Sequence, residues 1–165
     1  IHIPLRIITK EITKNKIIET VCIINEDLKT KFGCTKPKIL ICGINPHAGE
    51  DGLLGKEEID IIVPAVESLK KKGIAIDGPV PADTAFIKKF INKYDVIHTM
   101  YHDQGLPVIK FDDFSRTTNV TLGLPIIRVS VDHGTATELV GTGKVDISSF
   151  TQALKVARDI SKSAI

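Results

Sequence analysis

The sequence lacks several features that would assign it to a protein class directly. No apolar run approaches the roughly 20 residues of a membrane helix. The three cysteines show no C-x-x-C spacing, which disfavours a zinc–thiolate site and is typical of reduced thiols in a cytosolic protein. There is no G-x-G-x-x-G motif, and a net charge of +2 with scattered lysines gives no basis for nucleic-acid binding. The remaining composition, 42% hydrophobic and 25% charged, is that of a globular domain with one core.

Apolar residues recur with helical spacing in four segments, and short apolar runs lie between them. Ile59 and Val63 are predicted to face inward in the helical segment 56–72, where Pro64 predicts a kink or a break. On the last helix, Phe150 and Leu154 are predicted to face inward. The predicted helices cover residues 12–32, 56–72, 84–92 and the segment after Asp146, and the predicted strands cover residues 37–43, 74–76, 94–99, 117–121 and 126–131. This alternation predicts a three-layer α/β fold.

The most informative stretch is MYHDQGLPVIK, residues 100–110, directly after a predicted strand. His102 and Asp103 stand where that strand ends, which is where open α/β sheets hold their ligands. An imidazole beside a carboxylate can bind a metal, and Lys110 adds a cation for a charged, oxygenated substrate. The pattern alone also fits an ordinary polar turn.

A second histidine, His47, occupies the matching position after the predicted strand 37–43. If the two strands share one sheet, His47 and His102 reach the same crevice. Two imidazoles indicate a metal site but do not complete one. Asp83, in the sequence PADT, either caps the following helix or places a carboxylate near the metal, and both interpretations stay open.

Two further candidate sites lie within and directly after the predicted strand 126–131. Arg128 lies in the predicted strand 126–131 among apolar residues, where burial is costly unless an anion pairs with the guanidinium. The next segment is predicted to open a helix, whose N-terminus would attract phosphate. This segment contains His133, Gly134, Thr135 and Ala136. The alternative to a phosphate site is a capped helix start whose histidine is incidental.

Five separated motifs, NPHAGE, PADT, MYHDQGLP, NVTLGLPIIR and SVDHGTA, resemble the 4-hydroxythreonine-4-phosphate dehydrogenase family in order and spacing. The resemblance implies the three-layer fold of the isocitrate and isopropylmalate dehydrogenases. It covers only the C-terminal half of the family's usual length, and the chain begins with Ile1 instead of Met, so a fragment incomplete at its N-terminus is expected. Residues 1–104 would form most of a central, dimer-forming domain. Residues 105–165 would return to a cofactor-side domain whose N-terminal part is absent.

The resemblance also implies the chemistry of a cytoplasmic enzyme of pyridoxal phosphate biosynthesis. The reaction is the NAD-dependent oxidation and decarboxylation of 4-phosphohydroxy-L-threonine to 3-amino-2-oxopropyl phosphate, with NADP as a possible substitute for NAD. A divalent metal, zinc in the first place and magnesium or cobalt otherwise, is held by three histidines shared across a homodimer interface. Two of them match His47 and His102, and the third is expected before Ile1.

The remaining roles follow from the same resemblance. His102, Asp103 and Lys110 are implied to be catalytic, and Lys110, Asn119 and Arg128 to bind substrate. The loop of His133, Gly134, Thr135 and Ala136 is implied to bind the cofactor's adenosine. Alternatives are a paralogue acting on a four-carbon sugar-acid phosphate, a non-catalytic dimerising module, and a metallohydrolase that uses the two histidines with Asp103. This chain alone is expected to be inactive.

Overall fold

The computed structural model describes residues 1–135 and 137–163, which form alternating helices and strands. A π-helical turn, Glu58–Ile62, leads directly into the third helix. Within the described residues, no helix is long and apolar enough to cross a membrane. The helices are α1 Ile8–Glu11, α2 Lys14–Thr30, α3 Val63–Lys71, α4 Ala82–Ala85, α5 Lys88–Ile91, α6 His102–Asp113 and α7 Ser148–Ser163; the strands are β1 Lys38–Cys42, β2 Ala75–Val80, β3 Val96–His98, β4 Thr118–Thr121 and β5 Arg128–Val131.

The first three strands form a parallel sheet in the order β2-β1-β3. Successive side chains of a strand face opposite sides of its sheet. Ile39 and Ile41 of β1 therefore pack into the core that α2 and α3 build on one face, while Leu40 and Cys42 pack against Ala85 on the other. Coverage of both faces explains why β1 reads as a continuous apolar run. The predicted three-layer α/β fold is confirmed.

The last two strands, β4 and β5, form a separate antiparallel hairpin on which α7 packs. Two polar side chains at the C-terminal end of α2, on Asp27 and the C-cap residue Lys31, attach the loop of this hairpin to α2. The Asp27 carboxylate accepts a hydrogen bond from the Gly123 N–H at 2.7 Å, and Lys31 Nζ donates to the Leu124 carbonyl at 2.8 Å. The predicted domain boundary at residues 104 and 105 falls within α6 and stays a prediction.

Replacing Asp27 by alanine is expected to lower the free energy of unfolding by about 2–4 kcal/mol, because a nearly buried ion pair loses one partner. Asp27 is 7% exposed, and its carboxylate lies 2.8 Å from Lys31 Nζ. Urea denaturation would measure the change. Glu26→Ala, at an exposed position one residue earlier, is the matched control. Equal effects of the two substitutions would contradict this assignment.

Two predicted helix starts were wrong. The segment 84–92 begins earlier, at Ala82, and splits into α4 and α5. Pro81 stands at the N-cap, so Asp83 lies inside the first turn and does not cap the helix. The helix predicted after His133 is only a short 3-10 turn, Thr137–Leu139, in a segment where three glycines raise the cost of helix formation. Ala136 lies outside the described residues.

The faces of two helical segments also differ from prediction. Ile59 and Val63, expected inward, are 49% and 37% exposed. The π-helical turn before Pro64 changes the helical period, so the inward face is set by Ile62 and continues along α3. The helix type changes from π to α next to Pro64 and the two segments follow each other without a gap, so the predicted kink stays a prediction.

On α7, Phe150 and Leu154 are each 57% exposed, while Ala153 and Ile160 are buried. Apolar residues occur on more than one side of this helix. The period of the pattern therefore predicted the helix, whereas packing against the hairpin decided which side faces inward.

Candidate active site

A cleft of about 390 Å³ opens where the three parallel strands end. The segment after β1 contributes Asn45 and His47, the segment after β2 contributes Asp83, and the segment after β3 contributes Tyr101 and Gln104. Ligands of open α/β sheets bind at this edge, outside the carboxyl ends of the strands. The structure therefore places His47 and Asp83 in one cleft, with His102 immediately after one of the lining residues.

His47 lies on a backbone turn of unusual conformation. The φ angles of residues 47–51 are all positive, at 51°, 53°, 82°, 44° and 55°. A left-handed conformation costs about 1–2 kcal/mol for each residue other than glycine, so surrounding contacts must hold this turn. The imidazole is accessible, with 64% of the side chain exposed and Nδ1 3.7 Å from a Glu50 carboxylate oxygen.

His102 begins α6, and its imidazole is oriented by its neighbour. Nδ1 lies 2.7 Å from Asp103 Oδ1, and this pairing favours a proton on Nδ1. Nε2 then carries the lone pair that a metal requires. Metal-binding histidines commonly have a carboxylate partner of this kind, which fixes the tautomer and the ring orientation. The prediction that Asp103 acts together with His102 is consistent with this geometry.

Sequence reasoning missed a third histidine, His2. Its ring stacks on that of His102 with the centroids 4.8 Å apart and the planes inclined by 21°. The backbone supports the contact, because the Ile1 carbonyl accepts from the His102 N–H at 3.0 Å and the Ile1 backbone nitrogen donates to the Met100 carbonyl at 2.7 Å. In the sequence, His2 stands before Ile3-Pro4-Leu5. This segment shows no periodicity and no recognisable spacing of metal ligands, so His2 could not be singled out.

Gln104 is a second residue that sequence reasoning did not single out. Its Oε1 accepts from the Met100 N–H at 2.7 Å, and its Nε2 donates to the Gly43 carbonyl at 2.7 Å. Gly43 precedes the turn that carries His47, and Met100 precedes His102. One side chain therefore connects the two histidine-bearing segments.

The histidine side chains at the cleft are of a type that binds metals, but one chain does not bring together a complete set of metal ligands. Imidazole nitrogens suit zinc and similar first-row ions, and a catalytic zinc normally keeps three protein ligands. Across residues 1–135 and 137–163, no three His, Cys, Asp or Glu side chains lie close enough together to hold an ion. His47 and His102 remain accessible, with 64% and 45% of their side chains exposed.

The predicted substrate-binding residues lie on α6 and the hairpin. Lys110 Nζ donates to the Asp132 carbonyl at 3.2 Å and lies 3.5 Å from the Asp132 carboxylate. Asn119 lines a larger cleft, of about 1050 Å³, that Asp132 also lines. Arg128 is exposed and donates to Thr121 Oγ1 at 2.7 Å across the hairpin. The expected cost of burying Arg128 therefore does not arise.

The predicted cofactor loop forms an exposed surface turn. His133 Nδ1 lies 2.8 Å from the Gly134 carbonyl oxygen, and Thr135 is exposed. The described part of this loop does not begin a helix, so the predicted phosphate attraction of a helix N-terminus has no support here. The assignment to adenosine binding stays a prediction.

His98, at the end of β3, is expected to make stability depend on pH. Burial lowers the pKa of its imidazole from 6.5 to about 4. The unfolded chain takes up a proton between these values and the folded chain does not, so stability falls as the pH falls from about 6.5 to 4, by up to about 3 kcal/mol. Urea denaturation at several pH values would measure this, and His98→Gln should flatten the profile. An unchanged profile in the variant would contradict the assignment.

Comparisons with known proteins agree with the motifs. A family model described as "Pyridoxal phosphate biosynthetic protein PdxA" matches residues 1–157. A 4-hydroxythreonine-4-phosphate dehydrogenase of Pseudoalteromonas atlantica is 52% identical over 98% of this chain and 50% of its own length, and one of Pseudoalteromonas translucida is 54% identical over 94% and 47%. The crystal structure of a 4-hydroxythreonine-4-phosphate dehydrogenase from Klebsiella pneumoniae superposes with a TM-score of 0.87 at 38% identity, covering 97% of this chain and 50% of that one. This chain thus spans about half the length of these relatives, and it belongs to the Pyridoxal phosphate biosynthetic protein PdxA family.

Proposed function

We propose that the intact protein carrying this chain oxidises 4-phosphohydroxy-L-threonine with NAD and releases carbon dioxide, giving 3-amino-2-oxopropyl phosphate. The observation that carries the proposal is that His47, Asp83 and Tyr101 line one cleft, directly before the Asp103-paired His102 in the chain. Membership of the family supports the reaction type, since its relatives named above are dehydrogenases.

The metal, when bound, polarises the hydroxyl oxygen that loses its proton and the carbonyl oxygen formed from it. We assign its ligands to His47, His102 and, in place of a histidine before Ile1, His2. The stacking of His2 on His102 supports the third assignment. Since these imidazoles do not gather in one chain, two subunits of a homodimer would share the site, with the exposed His47 and His102 reaching across the interface.

The other side chains bind and orient the substrate. Lys110 and Arg128 provide positive charge for its phosphate or carboxylate, and Asn119 on β4 offers an amide to a polar substituent. Asp103 holds the tautomer of His102, and Asp83 contributes a carboxylate to the cleft that His47 also lines. The segment from His133 to Ala136 is assigned to the adenosine of NAD.

The test is NADH formation by the intact protein with zinc, magnesium or cobalt supplied in turn. Phosphohydroxythreonine is expected to be turned over with NAD in preference to NADP, and a four-carbon sugar-acid phosphate to be turned over poorly or not at all. Residues 1–165 alone are expected to be inactive, because substrate contacts contributed by the other half of the relatives' length are missing. Preference for the sugar-acid phosphate, or turnover without any nicotinamide cofactor, would contradict the proposal.

A further inference from the structure

A buried carboxylate stands beside the cleft, and the proposed reaction does not use it. Glu58, at the start of the π-helical turn, is only 3% exposed. Its Oε1 accepts from the N–H groups of Ile44 and Asn45 at 2.7 and 2.8 Å, and its Oε2 accepts from Asn45 Nδ2 at 2.9 Å. Burying a carboxylate is costly unless hydrogen bonds replace its water, and three donors from one short segment do so here.

The chain closes tightly around this carboxylate at two glycines. A Cβ atom on Gly43 would lie 2.9 Å from Glu58 Oε1, and one on Gly49 would lie 2.6 Å from Oε2. Neither position has room for a side chain. The segment from Gly43 to Gly49, which contains His47, is therefore wrapped directly around Glu58.

The wrapped segment overlaps a segment of strained backbone. Residues 47–51 hold positive φ angles, and four of them are not glycine. A conformation of this kind persists only where the surrounding structure determines it. The bonds from Ile44 and Asn45 to Glu58 fix the entrance to the turn, and the packing of Gly49 against the same carboxylate fixes its middle.

We infer that Glu58 is a positioning residue, which holds the left-handed turn in the conformation that directs His47 to the cleft. Glu58 acts through Asn45 and the backbone. The role of His47 as a metal ligand rests on the proposed function, whereas the control of the turn by Glu58 does not.

Glu58→Gln tests the inference with almost no change of shape. The introduced amide oxygen can accept from the two backbone N–H groups, but the amide nitrogen then faces Asn45 Nδ2, and two donors oppose each other. Rotating the Asn45 amide would turn its oxygen toward Glu57, whose carboxylate now accepts from Asn45 Nδ2 at 2.7 Å. The double variant Glu57→Gln/Glu58→Gln removes this conflict, because the rotated Asn45 oxygen can accept from both introduced amides.

The experiment uses the intact protein and two readouts. Zinc affinity is measured by competition with a chelating dye, and amide hydrogen exchange is measured at Asn45 and across residues 47–51. Glu58→Gln is expected to weaken zinc binding about 10- to 100-fold, as loss of an orienting contact typically does, and to speed exchange in the turn. The double variant should recover most of both. Glu67→Gln, at an exposed position on α3, should change neither.

The outcomes separate the two hypotheses. A lower melting temperature of Glu58→Gln with unchanged zinc affinity and unchanged exchange in the turn would show a merely structural role and overturn the inference. Failure of the double variant to recover would overturn it as well. If the unmodified protein binds no zinc, the metal assignment fails, and the exchange of residues 47–51 in the two variants still decides whether Glu58 holds the turn.

Discussion

Replacing His102 by alanine is expected to lower the kcat of the intact protein by about 10³-fold or more. A metal contributes several kcal/mol to charge stabilisation in the transition state, and each 1.4 kcal/mol corresponds to a factor of ten in rate. Removing one of three imidazoles forfeits most of that contribution. The same loss is expected for His47→Ala. NADH formation at saturating substrate and metal measures it.

His98→Gln is the matched control for these variants. His98 is also a histidine at the end of β3, but it lies in a different cleft, against Ile12 and Ile17. Its replacement should leave kcat within a small factor of the unmodified protein. A loss in His98→Gln comparable to that in His102→Ala would show that general disturbance of β3 causes the effect.

Mixing the two inactive variants tests whether subunits share the site. If each site takes His47 from one subunit and His102 from the other, a mixed dimer of His47→Ala and His102→Ala contains one intact site and one doubly altered site. Random exchange makes half of the dimers mixed, so activity should rise to roughly a quarter of the unmodified value. No recovery after subunit exchange would place both histidines of a site in one chain.

Replacing Arg128 by glutamine is expected to raise the KM for the phosphorylated substrate about 10- to 100-fold. A hydrogen bond to a charged group contributes about 1.5–3 kcal/mol, which corresponds to this range. Arg128 is exposed and held by a single described bond to Thr121, so the protein should fold without it. Steady-state kinetics with varied substrate would measure the change.

Arg158→Gln is the control for the removal of an arginine. Arg158 is exposed on α7 and pairs with its neighbour Asp159. An unchanged KM in Arg128→Gln, or an equal rise in Arg158→Gln, would remove Arg128 from the substrate site.

The parallel sheet was predictable because its residues satisfy local and tertiary preferences together. Ile39 and Ile41 face one side of the sheet and Leu40 faces the other. All three are apolar, and both sides are covered. The helix Lys14–Thr30 has Thr13 as its cap and Gly33, with φ of 67°, just after its end, so its limits could be predicted to within a few residues. The rule that parallel strands end at one edge accounts for the shared cleft of His47 and Asp83, although the sequence had left the role of Asp83 open.

The helix α6 could not be predicted, because local preferences oppose it. Gly105 and Pro107 both disfavour a helix interior, and Pro107 leaves the Asp103 carbonyl without its usual N–H donor. Tertiary packing nevertheless stabilises α6. A Cβ on Gly105 would lie 3.1 Å from the Thr99 side chain, so a small residue lets α6 approach the end of β3. Similarly, only the folded chain brings His2 to His102.

The most direct test of the central claim is anomalous diffraction at the zinc edge from crystals of the intact protein grown with zinc. A single zinc is expected with His47 and His102 among its ligands, each with a ring nitrogen about 2.0–2.1 Å from the ion. Whether the third nitrogen comes from His2 would be read from the same map. Zinc bound at one of these two histidines without the other, or bound elsewhere in the protein, would contradict the claim that the segments after β1 and β3 build one metal site.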